Sequence, residues 1–445
     1  MASSYVQFGS TQRFFKGTQI HREKKLWGEE QWIVNKEYCG KKLILKKNHR
    51  CSMHSHKKKD EVFYLQSGKV LLEMDGKSYV MKPGDFVHVQ TGLPHRFTGL
   101  ADSEIMEFST THDEADSYRS ELSGHVEQAR YDRESTLISA FKNVSILVVG
   151  DVMLDSYVVG SVERVSPEAP IPVVRQKGLW SVPGGAANAA LNAAQLGSKP
   201  TLIGIIGKDA QGILLQKELK KLRVSAKLFV DKSDRITTHK QRVIAGAGQQ
   251  IVRVDSEDRT PLDTRAEKRI LADVKKLLPK HDVLLLSDYA KGVLTPTVLA
   301  TCVRMAAKYK IPVVLDPKPQ DSEYLQGIKG LTVITPNRKE AQLLLGRTKK
   351  PAELTKHATY ALLTEGAEGM FLYRKGKASL HLSAHTHEVA DVSGAGDTVA
   401  TVVALALGAK GDIEDAVDLA NRAAGIVVTK QGTATVTPEE LLREL

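Results

Sequence analysis

"DVSGAGDTVATVVALALG", residues 391–408, decides how the larger part of the chain folds. A turn of Gly394, Ala395 and Gly396 is followed at once by Asp397 and then by small apolar residues with helical spacing. Glycines let backbone amides crowd around an anion, and the start of a helix adds partial positive charge there. The turn therefore reads as a nest for a transferring phosphoryl group, with Asp397 beside it to take a proton from an attacking hydroxyl. No Gly-x-x-x-x-Gly-Lys-Ser/Thr loop occurs anywhere, so phosphate must be handled by this other means. Alone, the pattern is weak, because any tight strand-to-helix turn can resemble it.

The surroundings supply context. From about residue 144 the chain carries continuous apolar runs: "VSILVVGD", "PTLIGIIG", "DVLLLSDY", "IPVVLDP", "LTVITPN" and "YALLTEG". Helical patterns such as "GAANAALNAAQLG" and "PTVLATCVRMAAKYK" separate them. Strands buried on both faces and alternating with helices predict an α/β fold around a mostly parallel sheet. Residues 1 to about 115 read differently. "KKLILKK", "EVFYLQSGKVLLEMDGKSYVMKPGDFVHVQ" and "EIMEFST" alternate apolar and polar residues between Gly and Pro turns, which predicts an antiparallel sandwich or barrel. Residues 113–143 are polar and then helical. The expected boundary lies near residue 125, giving domains 1–125 and 126–445.

Composition bounds the function. With 445 residues, two or three domains are expected, and 42% hydrophobic against 26% charged residues is the balance of a soluble globular protein. No run has the length of a membrane span and no signal-peptide core opens the chain, so no membrane role is expected. Three scattered cysteines argue against a disulfide framework and for a reducing cytoplasm. The net charge of +11 raises nucleic acid as a partner, but the only dense basic run is Lys57–Lys59 and no aromatics interleave with it. A solvated basic surface, or small anionic substrates, explains the charge without nucleic acid.

"HSHKKKDEVFYLQSGKV" carries a second chemistry. His54 and His56 share one face of a strand, Glu61 follows after four intervening residues, and "KPGDFVHVQTGLPH" ends in His95. Three imidazoles and a carboxylate can converge on one divalent transition metal such as Zn²⁺, Mn²⁺ or Fe²⁺ and leave positions open. A barrel with surface histidines is the competing reading. His21, His88 and His112 lack such spacing and are expected to be ordinary. The two stretches, His54-x-His56-x4-Glu61-x6-Gly68 and Pro83-Gly84-Asp85 through His95, resemble the motifs of the metal-binding cupin superfamily, with Asn48 standing where the first motif usually has glycine. The flanking sequence is most similar to sugar-isomerase-type members. Such members imply a base, for which Glu107 of "EIMEFS" is the candidate. A plain exposed strand glutamate is the alternative.

The opening stretch has company too: "VVGDVMLDSYVVG", "VSPEAPIPVV", "PGGAANAALNAAQLG", "LSDYAKGVLT", "VLDPK", "TPNRKEA", "TEGAEGM" and "LANRAAGIVVTKQGTATV". In this order they resemble the ribokinase-like (PfkB) sugar kinases over about residues 130–445, and within them the heptose-7-phosphate 1-kinases of ADP-heptose synthesis. The resemblance implies a ribokinase-like fold with a small β lid, ATP with Mg²⁺, and a sugar phosphate as substrate. It implies Asp397 as base and Gly394, Ala395 and Gly396 as anion hole. It assigns sugar hydroxyls to Asp155, Gly184, Gly185 and Asn188, with Asp288 and Lys291 in the same pocket. "TPNRKE" would be an ATP-binding segment (Asn337, Arg338, Lys339, Glu340), with Asn337 and Glu340 near Mg-phosphate. Thr364, Gly366, Gly369 and Asn421 would wall the nucleotide. Lys240 and Arg242 could meet the substrate's 7-phosphate, or form a merely exposed basic strand. Another sugar phosphate, such as a hexose phosphate, is the alternative substrate. A cupin for dimerisation or sensing is the alternative to an isomerase. Both families imply a homodimer. Because the sequence stops after "TPEELLREL" without a nucleotidyltransferase motif, the adenylyl step is expected on another chain.

Overall fold

A computed structural model describes the chain except residues 1–16, 18, 19, 76, 121, 122, 126, 127, 232, 233, 247, 347–349 and 386–388. It divides into two compact units, Met1–Ser135 with Leu442–Leu445, and Thr136–Leu441. The expected boundary meets residues 126 and 127, outside the described residues, and the helix Gln128–Ala140 runs across the division.

In the first unit every strand pair is antiparallel, in two sheets. One runs from His21–Lys25 through Gly28–Asn35, Tyr38–Leu45, Ser103–Thr110 and Glu61–Ser67 to Phe86–Val89. The other contains His54–His56 and His95–Gly99. Alternation along Glu61–Ser67 sends Glu61, Phe63 and Leu65 inward, onto an apolar core with Leu43, Leu45, Phe97 and Ile105. Asn48 takes a left-handed backbone, φ 64°, which explains why an asparagine can stand at a glycine position.

The second unit has a nine-stranded sheet. Its order is Ser225–Val230, Lys199–Ile206, Ser145–Gly150, Val283–Ser287, Val313–Asp316, Leu331–Ile334, Ala358–Thr364, Met370–Arg374, Leu380–Leu382. The first seven run parallel and the last two join antiparallel. Each apolar run of the sequence thus becomes a central strand, and residues such as Leu147, Val149, Leu284 and Leu286 are buried in one core. A separate four-stranded sheet, Val152–Val165 with Pro172–Gly185, Thr238–Ala245 and Gln249–Ser256, forms the lid. Local signals set the helix ends. Before Pro296–Tyr309, the Thr295 hydroxyl accepts from the Val298 amide at 3.2 Å, Pro296 suits the first turn, and Lys310 closes the helix in the left-handed region. Among the described residues no helix is long and apolar enough to cross a membrane.

Candidate functional site

The turn at 394–397 opens the helix Ala395–Gly408, and Gly394 sits at its N-cap with φ 84°. A Cβ at Gly394 would be strained by that backbone and would lie 3.0 Å from Asn188 Nδ2. Asp397 falls in the first helical turn and is 3% exposed. Asn188 Nδ2 donates to its Oδ2 at 2.8 Å, and the Tyr289 hydroxyl donates to its Oδ1 at 2.7 Å. Burial raises its pKa to about 6; those two hydrogen bonds oppose the rise and the Asp155 charge adds to it. Asn188 is fixed in turn, its Oδ1 accepting from Asn192 Nδ2 at 3.2 Å.

Asp155 lies nearby on the lid strand. Its Oδ1 accepts from Arg242 Nη1 at 2.6 Å and its Oδ2 from the Thr433 hydroxyl at 3.3 Å. Arg242 is therefore engaged with a carboxylate rather than lying on an exposed basic strand. Lys240 is half-buried on the same strand, and burial lowers its pKa. A Cβ on Gly184 would collide with Asp155 Oδ2, so the glycine gives this carboxylate its room. Gly185 turns the strand into the following helix with φ 59°. Asp288 is buried, its Oδ1 accepting from the Ala290 amide at 2.8 Å. Burial first, and then Asp151, raises it to about 7. Lys291 pairs with Glu257 at 2.7 Å.

On the other side of the turn lies a cavity of about 220 Å³. Thr364, Gly366, Gly369 and Asn421 line it together with Ala395 and Gly396. The four wall residues and the start of the helix thus meet in one place. The "TPNRKE" residues do not line this cavity. Asn337 and Glu340 close a capping box, Asn337 Oδ1 accepting from the Glu340 amide at 3.0 Å and Glu340 Oε2 from the Asn337 amide at 2.9 Å. Lys318 holds the other Glu340 oxygen at 2.8 Å. Arg338 bridges Glu365 and Glu368, and Lys339 is exposed.

Sequence reading missed several residues here. Tyr289 holds Asp397. Thr433 joins Asp155 to Tyr157, whose hydroxyl is 3.1 Å from its Oγ1. Asp151 receives the amides of Tyr289, Lys291 and Val293 at 2.8, 3.0 and 3.0 Å and so shapes that loop. Asp316, the aspartate of "VLDPK", is raised well above the ordinary carboxyl range by burial and then by Asp397 and Glu340. Only Asp316 carried a signal, a carboxylate straight after a buried strand, at the carboxyl end where α/β sheets bind ligands.

In the first unit, His54, His56 and His95 bring one ring nitrogen each within 4.8 Å of one another. Each Nδ1 hydrogen-bonds a backbone carbonyl: Ser52 at 2.8 Å, Asp116 at 2.9 Å and Leu93 at 3.1 Å. A carbonyl only accepts, so every Nδ1 carries the proton and every Nε2 offers a lone pair. Glu61 Oε2 lies 3.2 Å from His95 Nε2 and 3.7 Å from His56 Nε2. Neither Glu61 Oε2 nor His95 Nε2, both buried, has a hydrogen-bond partner among the described residues. Acceptors facing one another in a buried site fit a cation between them, and neutral imidazoles suit it; burial lowers the pKa of His54 to about 4.

The three histidines and Glu61 line a cavity of about 480 Å³. Glu107 also lines it and is buried, which removes the exposed-glutamate reading. Lys59 corrects the picture of a solvated basic run. Only 3% exposed, it donates to Glu61 Oε1 at 2.5 Å and to Glu107 Oε1 at 2.6 Å. His112, expected to be ordinary, lines the cavity with its Nδ1 3.3 Å from Lys41 Nζ.

Sheet order, lid and phosphate-type turn define a ribokinase-like sugar kinase, and the smaller unit a cupin. Residues 143–440 match the model of the pfkB family carbohydrate kinases, and residues 42–111 match the cupin domain model. The chain belongs to the pfkB family of carbohydrate kinases. It is 42% identical over 319 residues to the bifunctional protein HldE of Gluconobacter oxydans and 44% identical over 324 residues to that of Caulobacter sp.. These matches cover 69% and 70% of this chain but 66% and 64% of the relatives, so the chain spans just under two thirds of their length. Phosphofructokinase-2 from Escherichia coli superposes with a TM-score of 0.55 at 19% identity, over 67% of this chain and 97% of that one. Arabidopsis thaliana ribokinase, solved with ribose and ATP, gives 0.51 at 20% identity over 68% and 98%, a likeness of fold.

Proposed function

We propose that the second unit transfers the γ-phosphoryl group of ATP to the C1 hydroxyl of D-glycero-D-manno-heptose 7-phosphate, giving the 1,7-bisphosphate used in ADP-heptose synthesis. The observation that carries this is the single location shared by the cavity of Thr364, Gly366, Gly369 and Asn421, the helix start at Ala395–Gly396, and the buried base Asp397. ATP in that cavity puts its terminal phosphate at the helix start, where amides without intrahelical carbonyl partners stabilise the charge on the transferring group. Asp397, oriented by Asn188 and Tyr289, takes the proton of the attacking hydroxyl. Asp155, Gly184, Gly185, Asn188 and Asp288 hold the sugar; Lys240 and Lys291 favour its phosphate. Asp316, raised by burial and then by the Asp397 charge, would hold Mg²⁺ together with Asp397, and the ion would neutralise phosphate charge there. The heptose follows from similarity to the HldE proteins. Three free, buried cysteines suit a cytoplasmic enzyme, and a homodimer is proposed with it.

A second reading attaches to the cupin: interconversion of a ketose phosphate, such as sedoheptulose 7-phosphate, with the aldose phosphate. The observation favouring it is Glu107 in one cavity with the histidine triad. His54, His56, His95 and Glu61 would hold a divalent ion supplying Lewis-acid polarisation. Glu107 would move the proton between C2 and C1.

The test gives the intact chain ATP, Mg²⁺ and, in parallel, heptose 7-phosphate, fructose 6-phosphate and sedoheptulose 7-phosphate, with ADP release and product mass followed. The heptose phosphate is expected to be the best acceptor, and the ketose to yield the same bisphosphate without added isomerase. A preferred hexose phosphate overturns the heptose assignment. An untouched ketose, with each of Zn²⁺, Mn²⁺ and Fe²⁺, overturns the isomerase.

A further inference from the structure

The two groups that hold Asp397 both trace back to one buried residue outside their own segments. Tyr289, which donates to Asp397 Oδ1, sits on the loop after the strand Val283–Ser287. Asn188, which donates to Oδ2, sits in the first turn of the helix Ala186–Gln195. Asp151 joins these segments. Its amide donates to the Ser287 carbonyl at 3.2 Å, and its carbonyl accepts from the Ala186 amide at 3.0 Å, at the start of that helix. Gly150 permits the approach, because a Cβ there would lie 1.9 Å from the Ser287 carbonyl oxygen.

The Asp151 side chain is directed at the loop. It is 1% exposed, and both its oxygens are taken up by backbone amides. Oδ2 accepts from Tyr289 and Lys291 at 2.8 and 3.0 Å, and Oδ1 accepts from Val293 at 3.0 Å. The loop needs this restraint. Ala290 is left-handed, φ 53°, a backbone that is costly for a residue with a Cβ. Charge-assisted hydrogen bonds from the amides on either side offset that cost. A carboxamide could not replace them. It has one oxygen, so however it is turned at least one of the three amides would face an NH₂ group. The loop therefore calls for a carboxylate at 151, with two accepting atoms. Holding the Tyr289 and Lys291 amides fixes the backbone from which the Tyr289 phenol reaches Asp397.

We propose that Asp151 is a positioning residue for phosphoryl transfer: its carboxylate fixes the loop 288–293 so that the Tyr289 hydroxyl aims Asp397 at the sugar hydroxyl. The inference rests on reading Asp397 as the base, and it adds to that reading the residue through which the base is aligned.

The test is a double-mutant cycle in the full chain, with ATP, Mg²⁺ and the best of the three acceptors named above. Asp151→Asn is made in the parent and in Tyr289→Phe, and kcat and the KM for ATP are measured for all four proteins. In the parent, kcat is expected to fall roughly tenfold to a hundredfold, the size of effect that a misplaced catalytic group produces. Once the Tyr289 hydroxyl is gone, the same substitution should lower kcat by less than about threefold, because the group through which Asp151 acts is absent. The KM for ATP should stay within about twofold, since other segments line the nucleotide cavity. The cycle is repeated in an Ala290→Gly background, where the left-handed backbone carries no penalty, so that a variant that folds poorly on its own still gives a reading. A purely structural Asp151 would lower kcat by the same factor with and without the Tyr289 hydroxyl, and that result overturns the proposal. So does a kcat unchanged in Asp151→Asn or in Tyr289→Phe. Near-parent turnover in Asp397→Asn would instead remove the base itself. Loss of turnover in Asp397→Asn together with an additive cycle leaves the base standing and removes only the role given to Asp151.

Discussion

The two units bury carboxylates in opposite ways. In the cupin cavity, burial pushes Glu107 upward, yet Lys41 and Lys59 beside it hold it below the ordinary range, and Lys59 also donates to Glu61. In the kinase, burial raises Asp397 to about 6 and Asp288 to about 7 and takes Asp316 well above its usual value, with neighbouring carboxylates adding to the rise. The difference lies in the counter-charges. Lys59 sits between the two cupin carboxylates, whereas Asp397 is held by a carboxamide and a phenol, with no cation bonded to it among the described residues. A carboxylate held down is a lasting charge, suited to holding a cation. One raised toward neutrality can exchange a proton with a substrate hydroxyl. By this measure Asp397 is the stronger base and Glu107 the weaker, so the isomerase is the easier part of the functional proposal to break.

Removing the raised carboxylate should do most. Asp397→Asn keeps the size and the turn but removes the proposed base, and phosphoryl transfer is expected to fall by roughly 10²–10⁴-fold with unfolding unchanged. Turnover near the parent's would take Asp397 out of the mechanism. Gly394→Ala should follow: the left-handed backbone costs about 1–2 kcal/mol, and the new methyl presses on Asn188, which donates to Asp397. Its kcat should drop about tenfold or more, with the KM for ATP moving less; an unchanged kcat would mean that Asn188 does not position Asp397. The smallest effect on the kinase is expected from the cupin. His56→Ala with His95→Ala should abolish metal binding at the proposed site and leave ATP-dependent transfer within about twofold, as separate cores imply. Metal occupancy unchanged in that double variant refutes the ligand set, and collapse of the kinase would show that the two sites are coupled.

Much of this contrast was legible in the sequence. Continuous apolar runs against alternating ones separated the parallel sheet from the antiparallel one, because strands buried on two faces cannot carry polar residues at every second position. Asp397 and the histidine set were visible because their spacing is local. What stayed hidden were partnerships across long stretches of chain. Tyr289 meets Asp397 from 108 residues away, and Lys59 meets Glu107 from 48. Nothing in "HKKKDE" distinguishes the third lysine from its solvated neighbours; the turn held by Asp116, which accepts from the Lys57, Lys58 and Lys59 amides, accompanies its burial. Asn337 and Glu340 teach the converse. Their spacing reads equally as a phosphate motif and as a helix cap, and the cap is what their side chains form.

The pH dependence of kcat/KM for phosphoryl transfer tests the central claim most directly, because it asks whether an essential carboxyl titrates far above its ordinary value. Asp397 must be ionised to accept the proton, so activity should be full above its raised pKa and should fall tenfold per pH unit below it. With ATP, Mg²⁺ and the heptose phosphate, the expected profile bends at about pH 6. A profile flat down to pH 4.5, with the protein still folded, would contradict the account.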